Sequence, residues 1–134
     1  MIVVDTNIIG YLFITNQRQK QAMELLIREP VWISSPLWRS EFRNVLTGYI
    51  RRNIFTLSQA QLIMEDAHKM MSLREFDVDS DRVLSLAANS NCSAYDCEFV
   101  TLAEEHSCPL VTVDKQIRAQ FPGIAISPEE FLNL

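Results

Sequence analysis

The stretch that decides the fold runs from Ser93 to Asp114 and reads SAYDCEFVTLAEEHSCPLVTVD. Serine is a favoured N-cap residue, so Ser93 predicts the start of a helix that reaches about His106. The apolar run from Pro109 to Val113 then predicts a buried strand. This strand ends at an aspartate, Asp114, where a further helix is predicted to begin.

The first ten residues, MIVVDTNIIG, repeat that arrangement. Ile2 to Val4 is a β-branched run typical of a buried strand, and it ends near Asp5. Farther along the chain, strands and helices alternate. Further strands are predicted at 31–33, 76–78 and 125–126, and further helices at 7–13, 17–28, 36–50, 58–71, 80–87 and 115–121. The alternation predicts an α/β fold in which right-handed crossovers build a mostly parallel sheet covered by helices.

Three aspartates lie where such a fold places its ligands or its helix starts. Ligands of an open parallel sheet bind beyond the carboxyl ends of the strands, which is where Asp5 and Asp114 are predicted to lie. Aspartate before a helix is also a favoured N-cap. Asp96, the third residue after Ser93, fits a capping box in the same way. Each position taken alone therefore leaves both a capping and a chemical role open.

Glu41 is harder to explain by local structure. In the helix predicted from Pro36 to about Ile50, Glu41 lies four residues after Leu37 and four before Val45, two members of the apolar stripe. Residues four apart share a helix face, so a carboxylate falls within the stripe that should pack on the core. A buried charge is costly unless it is paired or binds a metal ion.

Two strand ends and two helix faces can therefore bring together Asp5, Glu41, Asp96 and Asp114. The mutual repulsion of such carboxylates has to be compensated. Hard divalent cations prefer carboxylate and water oxygens, and Mg²⁺ usually keeps several waters. An acidic pocket that holds such ions suits phosphodiester hydrolysis, because the ions polarise the phosphate and lower the pKa of the attacking water.

The charge of the chain bears on such a substrate. The formal net charge of −5 speaks against a nucleic-acid partner, whose phosphates attract Lys and Arg. Without the four carboxylates of the predicted site the balance is 12 − 13 = −1. Four basic residues near this site could contact phosphates or could simply be solvated: Arg39, Arg43, Lys115 and Arg118.

Length and composition bound the class of protein. The 134 residues fit a single domain, 1–134, with one core. No apolar stretch is long enough to span a bilayer and no export leader is evident, so we expect no membrane association. The three cysteines are odd in number and form no C-x-x-C pair, which indicates free thiols in a reducing compartment. Together these features predict a cytoplasmic protein.

Four segments in order resemble the PIN-domain family, and in particular the compact VapC-like toxins of toxin–antitoxin pairs. They are VVDTNIIGYLF, SSPLWRSEFRNVL, SAYDCEFVTLAEEHSCPLVTVD and FPGIAISPEEFL, and the resemblance covers essentially the whole chain. It implies a three-layer α/β/α PIN-like fold with a central, mostly parallel sheet. The acidic quartet of the family falls on Asp5, Glu41, Asp96 and Asp114. Three supporting polar positions fall on Thr6, Asn7 and Thr112.

The same resemblance implies a function. The family quartet binds Mg²⁺ or Mn²⁺ and activates water for cleavage of RNA. VapC-like members usually act as homodimers and are often silenced by a cognate antitoxin. Many relatives carry another acidic residue shortly after the last aspartate, whereas Lys115 to Arg118 follow it here. The resemblance therefore supports a first metal ion and leaves the second open.

Two other classes of function stay open at the level of sequence. One is a PIN-like module that binds RNA or a protein without cleaving it. The other is a strand-end phosphotransfer domain, either a receiver or an aspartyl phosphatase. The phosphatase needs a second aspartate two residues after the first, and Asn7 occupies that place. Only Lys115, directly after an aspartate, resembles the lysine that a receiver requires.

Overall fold

The computed structural model describes residues 1–134, and its helices and strands alternate along the chain. The elements are β1 (Ile2–Val4), α1 (Thr6–Phe13), α2 (Gln19–Arg28), β2 (Trp32–Ile33), α3 (Leu37–Arg51), α4 (Leu57–Met71), α5 (Ser80–Ala88), α6 (Ala94–Glu105), β3 (Leu110–Val111), α7 (Lys115–Gln120), β4 (Ala125–Ile126) and α8 (Pro128–Leu132). The helix bounds agree with the sequence prediction to within two residues.

The four strands form one parallel sheet in the order β2-β1-β3-β4. β1 pairs with β2 on one side and with β3 on the other, and β4 pairs with β3. The chain therefore leaves β1 toward one edge of the sheet and later returns toward the other, so the strand order reverses between β1 and β3. In open parallel sheets, that switch point is where ligands bind beyond the carboxyl ends of the strands.

Two hydrophobic cores cover the two faces of the sheet. Successive strand residues point to opposite faces, so Ile2 and Val4 join one core while Val3 joins the other. The first core is packed by α1 to α4 and contains the fully buried rings of Trp38 and Phe42. The second core is packed by α5, α6 and α7. The arrangement confirms the predicted three-layer α/β/α fold.

The predicted strand at 76–78 does not form. Only Glu75 makes a bridge to the sheet, opposite Ser34, and two backbone hydrogen bonds of 3.0 and 3.1 Å flank that bridge. The chain then leaves the sheet, because the ring of Phe76 packs against His106 and Asp79 caps α5. The apolar residues that suggested a strand therefore belong to a connecting segment.

A buried carboxylate fixes the start of α3. The Glu75 side chain is 6% exposed and accepts hydrogen bonds from Trp38 Nε1 at 2.7 Å and from Nε and Nη2 of Arg39. Burial acts to raise the pKa of Glu75, but the hydrogen bonds from Arg39 and Trp38 outweigh it and hold this pKa below its usual value. Glu75 thus ties the first turn of α3 to the edge of the sheet.

Two further expectations can be compared with the structure. Cys92, Cys97 and Cys108 are all free thiols, as the sequence predicts. None of the helices has both the length and the apolar character that crossing a membrane requires.

The Glu75 contacts predict a measurable loss of stability on truncation. Glu75→Ala leaves the buried Trp38 indole N–H without its partner, and we expect it to lower the free energy of unfolding by about 2 kcal/mol. Glu65→Ala is the matched control, because Glu65 is 59% exposed and pairs with Lys69 only at the surface. Urea denaturation should show a much smaller effect for the control. Equal effects of the two variants would contradict the anchoring role of Glu75.

Candidate active site

The four predicted carboxylates line one cavity. It has a volume of about 240 Å³ and lies beyond the carboxyl ends of β1 and β3, at the switch point of the sheet. Its walls are formed by Asp5, Thr6, Asn7, Glu41, Asn44, Val45, Asp96, Phe99, Asp114 and Ile117. Four separate parts of the chain thus contribute one carboxylate each to the same space.

Asp5 and Asp114 are helix caps as well as cavity residues. Asp5 Oδ1 accepts the Ile8 N–H at 3.3 Å at the start of α1, and Asp114 Oδ1 accepts the Ile117 N–H at 2.9 Å at the start of α7. Each cap uses a single carboxylate oxygen. Capping and a chemical role are therefore compatible at both positions, and the cap fixes the direction in which each carboxylate enters the cavity.

Asp96 does not make the reciprocal contact of a capping box. Ser93 Oγ accepts the Asp96 N–H at 3.0 Å and caps α6, but the Asp96 carboxylate makes no hydrogen bond within the protein. Local helix capping therefore does not account for an acidic side chain at this position. Both of its oxygens are available to the cavity.

Glu41 lies at the border of the buried face of α3. The residues of that face with full burial are Trp38, Phe42 and Leu46, whereas Val45 is 37% exposed and lines the cavity beside Glu41. Glu41 therefore lies part of a turn away from the buried face of α3, and not within the core-packing stripe as the sequence predicted. Thr6 Oγ1 donates to Glu41 Oε1 at 2.7 Å, which leaves Oε2 without a partner in the protein.

Thr112 links the two strand-end aspartates. Its fully buried hydroxyl donates to Asp5 Oδ2 at 2.5 Å and accepts the Asp114 N–H at 3.0 Å. The three supporting positions that the family resemblance implied are Thr6, Asn7 and Thr112. In the structure, Thr6 contacts Glu41, Thr112 contacts Asp5, and Asn7 lines the cavity as an exposed residue.

Burial dominates the titration of Asp5. It raises the pKa of this carboxyl to about 6, from an ordinary value of 3.8. The hydrogen bonds from Thr112 and from the Ile8 N–H act in the opposite direction, while the nearby charges of Asp114 and Glu41 add to the increase. Without a compensating cation, ionised Asp5 is therefore an unfavourable group in the folded protein.

The donor set fits a hard divalent cation in its chemistry. All four side chains offer oxygen, and the unpaired ones are both oxygens of Asp96, Oε2 of Glu41 and Oδ2 of Asp114. No three of these side chains converge closely enough to hold an ion by direct contact alone. Repelling carboxylates spread apart, and Mg²⁺ is commonly bound partly through its own waters, so the shared cavity suits a partly hydrated ion.

The four predicted basic residues differ in their surroundings. Arg39 is committed to its pairing with Glu75. Arg43 is exposed and contacts only Ser40 Oγ, at 3.1 Å. Lys115 is exposed at the start of α7 and has no ion pair, and Arg118 lies 3.8 Å from Glu130. The guanidinium of Arg39 is therefore the least available of the four cations.

Sequence reasoning missed Asn44. This exposed amide lines the acidic cavity three residues after Glu41. The spacing that places two residues on one helix face could have identified it. A side-chain amide at this position offers both a donor and an acceptor to a ligand in the cavity.

A larger cleft on the protein contains none of the site carboxylates. It measures about 680 Å³ and lies between the start of α3 and helices α5 and α6. Its acidic members are Asp77 and Glu98, and Glu98 accepts a hydrogen bond from the buried Ser35 hydroxyl at 2.7 Å. Volume alone would favour this cleft, but convergent chemistry favours the acidic cavity.

Comparisons with known proteins agree with the fold. The sequence model of the PIN domain family matches residues 2–120 of this chain. Ribonuclease VapC3 of Pyrobaculum aerophilum is 25% identical over 126 residues, which are 92% of this chain and 96% of that protein.

Solved structures show the same fold. PAE2754 from Pyrobaculum aerophilum superposes with a TM-score of 0.78 at 20% identity, over 98% of this chain and 93% of that one. FitAcB from Neisseria gonorrhoeae has a TM-score of 0.75 at 15% identity, over 96% and 99%. A toxin–antitoxin complex from Klebsiella pneumoniae has a TM-score of 0.70 at 20% identity, over 96% and 98%.

The raised pKa of Asp5 predicts a pH dependence of stability in metal-free protein. The folded state binds the Asp5 proton more tightly than the unfolded chain does. The stability that this group contributes is therefore complete below about pH 4 and is lost as the pH rises through about 6. The loss amounts to at most about 3 kcal/mol. Asp5→Asn cannot ionise, so its stability relative to wild type should increase over that range.

Thermal unfolding in chelator from pH 4 to 8 tests this expectation. Asp66→Asn is the control, because Asp66 is an exposed residue of α4 and this variant should follow the wild-type curve. A constant difference between Asp5→Asn and wild type across the pH range would show that Asp5 is not the buried titrating group.

Proposed function

The chain belongs to the PIN domain family, and on this premise we propose that it is a Mg²⁺- or Mn²⁺-dependent endoribonuclease. The substrate is RNA and the bonds cleaved are its phosphodiesters. The catalytic and metal-binding residues in this proposal are Asp5, Glu41, Asp96 and Asp114. Residues 1–134 would act as one catalytic unit.

The observation that supports this proposal most strongly is the convergence of four carboxylates on one cavity. They come from the ends of β1 and β3 and from α3 and α6. A local structural role explains two of them as caps, but it explains neither the free carboxylate of Asp96 nor the placement of Glu41. Binding of a cation would relieve the repulsion that the four charges create.

The protein contributes positioning and charge to the reaction. Thr112 orients the Asp5 carboxylate, and Thr6 does the same for Glu41. The oxygens without internal partners then face the cavity, where they can bind an ion or hold a water by hydrogen bonds. A bound Mg²⁺ or Mn²⁺ supplies Lewis-acid polarisation of the phosphodiester and lowers the pKa of the attacking water. In this proposal Lys115, exposed at the start of α7 directly after Asp114, attracts the phosphates of an approaching strand.

We further propose that the protein is the toxin of a type II toxin–antitoxin pair and acts in the cytoplasm. The similarity to Ribonuclease VapC3 and to a solved toxin–antitoxin complex supports this role.

A second cleft, of about 130 Å³, adjoins the acidic cavity and shares Thr6, Asn7 and Val45 with it. Its other walls include Tyr11 and Phe42. A segment of a cognate antitoxin bound there would lie beside the catalytic carboxylates.

A homodimer is also part of the proposal. Large apolar side chains are exposed on α4 and on the turn that precedes it. Ile54 is 52% exposed, and Leu57 and Leu62 are each 61% exposed. Burial of such side chains against a second copy would be favourable, since apolar surface removed from water contributes about 25 cal/mol per Å².

Substitution of the site carboxylates should stop RNA cleavage and leave the fold intact. Asp96→Asn and Glu41→Gln each remove a charge from the cavity. We expect each to lower the rate of cleavage of a short single-stranded RNA by about a hundredfold or more in Mn²⁺ or Mg²⁺. Cleavage by wild type should also be lost in chelator. Circular dichroism would establish that the variants are folded.

Glu98→Gln is the matched control for Asp96→Asn. Glu98 lies two residues later on the same helix, outside the acidic cavity, and glutamine can still accept the hydrogen bond from Ser35. This control should cleave like wild type. Full activity of Asp96→Asn would contradict the site assignment. A folded wild type that binds RNA but never cleaves it would instead favour the non-cleaving module.

Sedimentation tests the proposed dimer. We expect wild type to sediment as a dimer at micromolar concentration and Leu57→Asp/Leu62→Glu to sediment as a monomer, because the new charges would have to be buried in the interface. Ile27→Glu is the control, since Ile27 is 81% exposed on α2. A wild-type monomer would rule out the dimer.

A further inference from the structure

A further cleft lies between α7, the loop that leads into β4, and α8, and it shares no lining residue with the acidic cavity. It has a volume of about 500 Å³. Its lining consists of Lys115, Arg118, Ala119, Pro122, Ala125 and Glu130. Two of its three ionisable side chains are cations, although the chain as a whole has a net charge of −5.

Chain order and sheet topology bring one end of this cleft close to the proposed active site. β4 runs parallel to β3, so Ser127 and α8 lie at the same carboxyl edge as Thr112 and Asp114. The Thr112 N–H donates to Ile126 O at 3.0 Å, which holds the two strand ends together. The cleft begins at Lys115, the residue that directly follows Asp114. Neighbouring strands are about 4.8 Å apart, so the cleft lies about one strand farther along the edge.

The cations of this cleft are incompletely paired. Arg118 Nε is buried and has no hydrogen-bond partner. Its Nη1 lies 3.8 Å from Glu130 Oε1, which is longer than a hydrogen bond, and the Glu130 side chain is 63% exposed. Lys115 has no carboxylate within ion-pair distance. The Arg118 side chain is 28% exposed, so its remaining N–H donors and the ammonium of Lys115 form a site that an anion can complete.

We propose that this cleft is a subsite for a backbone phosphate of the RNA next to the scissile one. The inference rests on the function proposed above, because it places the phosphate relative to a cut at the acidic cavity. Arg118 offers a planar donor pair to the phosphate oxygens, and Lys115 adds a point charge between the cleft and the carboxylates. Glu130 occupies the position of the anion in the free protein and is displaced when the phosphate binds.

The subsite also reduces the electrostatic repulsion between the acidic cavity and its RNA substrate. Four carboxylates repel a polyanion, and the metal ion compensates that repulsion only at the scissile phosphate. Cations one strand away hold the neighbouring phosphate and thereby fix the register of the strand. RNA of any sequence carries such a phosphate, so this contact contributes affinity and position but not sequence specificity.

RNA binding in an Asp96→Asn background provides the test, because the probe should then stay uncut. The probe is a fluorescently labelled single-stranded RNA of mixed sequence, followed by anisotropy over a range of salt concentrations. Lys115→Met/Arg118→Met should weaken binding by roughly tenfold or more. The slope of log affinity against log salt should become shallower by about 0.7, because the cleft holds one phosphate and each phosphate contact on a single strand contributes about 0.7.

Two controls separate the cleft from general charge effects. In the same Asp96→Asn background, Arg51→Met/Lys69→Met removes the same number of positive charges, giving −5 + 1 − 2 = −6 as in the cleft variant. Arg51 lies ten residues beyond Glu41, or about 15 Å along α3, so binding should change little. Glu130→Gln should act in the opposite direction and tighten binding, because it removes the competing carboxylate. Glu65→Gln, which removes a distant negative charge, should not.

The outcomes distinguish this proposal from the proposed function. If wild type cleaves RNA but the cleft variant binds like its control, or neither binds the probe, the subsite is wrong. If the cleft variant loses affinity and salt slope as expected while wild type never cleaves RNA, the subsite is supported and the nuclease function fails. Failure of Glu130→Gln to tighten binding would contradict the displacement of Glu130.

Discussion

Repelling carboxylates held at one edge of a parallel sheet are the constraint on which this structure depends. Asp5 and Asp114 follow adjacent strands, and the buried Thr112 hydroxyl connects them by donating to one and accepting the backbone N–H of the other. Asp5 is so enclosed that burial raises its pKa to about 6. The cost of holding these charges together is partly offset by helix capping, because each aspartate accepts a backbone hydrogen bond at a helix start. Helix capping and the proposed chemistry therefore share the same two residues.

The helices that cover the sheet complete the site from both sides. α3 supplies Glu41 from one layer, and α6 supplies Asp96 from the other. Neither carboxylate is needed by its own helix, since Ser93 caps α6 and Glu41 lies in mid-helix. Glu75 anchors the first turn of α3, one turn before Glu41. The geometry of the cavity thus depends on contacts that lie outside it.

The sequence could predict those features that follow from local chemistry. Apolar runs ending in aspartate identified β1 and β3, and the capping residues Ser93 and Asp114 identified the starts of α6 and α7. The strand expected at 76–78 was wrong because Phe76 contacts His106 in place of a neighbouring strand, and such a contact has no local signal. The pairing of Arg39 with Glu75 joins residues 36 apart in the chain. The same holds for the cleft of Arg118 and Glu130, which exists only because β4 pairs with β3.

We expect the four carboxylates to bind one divalent cation together. The most direct measurement is anomalous X-ray diffraction from crystals equilibrated with Mn²⁺. We expect an anomalous peak in the cavity between the ends of β1 and β3, within reach of all four carboxylates directly or through one water. Loss of that peak in Asp96→Asn crystals would strengthen the assignment. A well-ordered structure at saturating Mn²⁺ with no peak there, or with the ion bound only elsewhere, would contradict it.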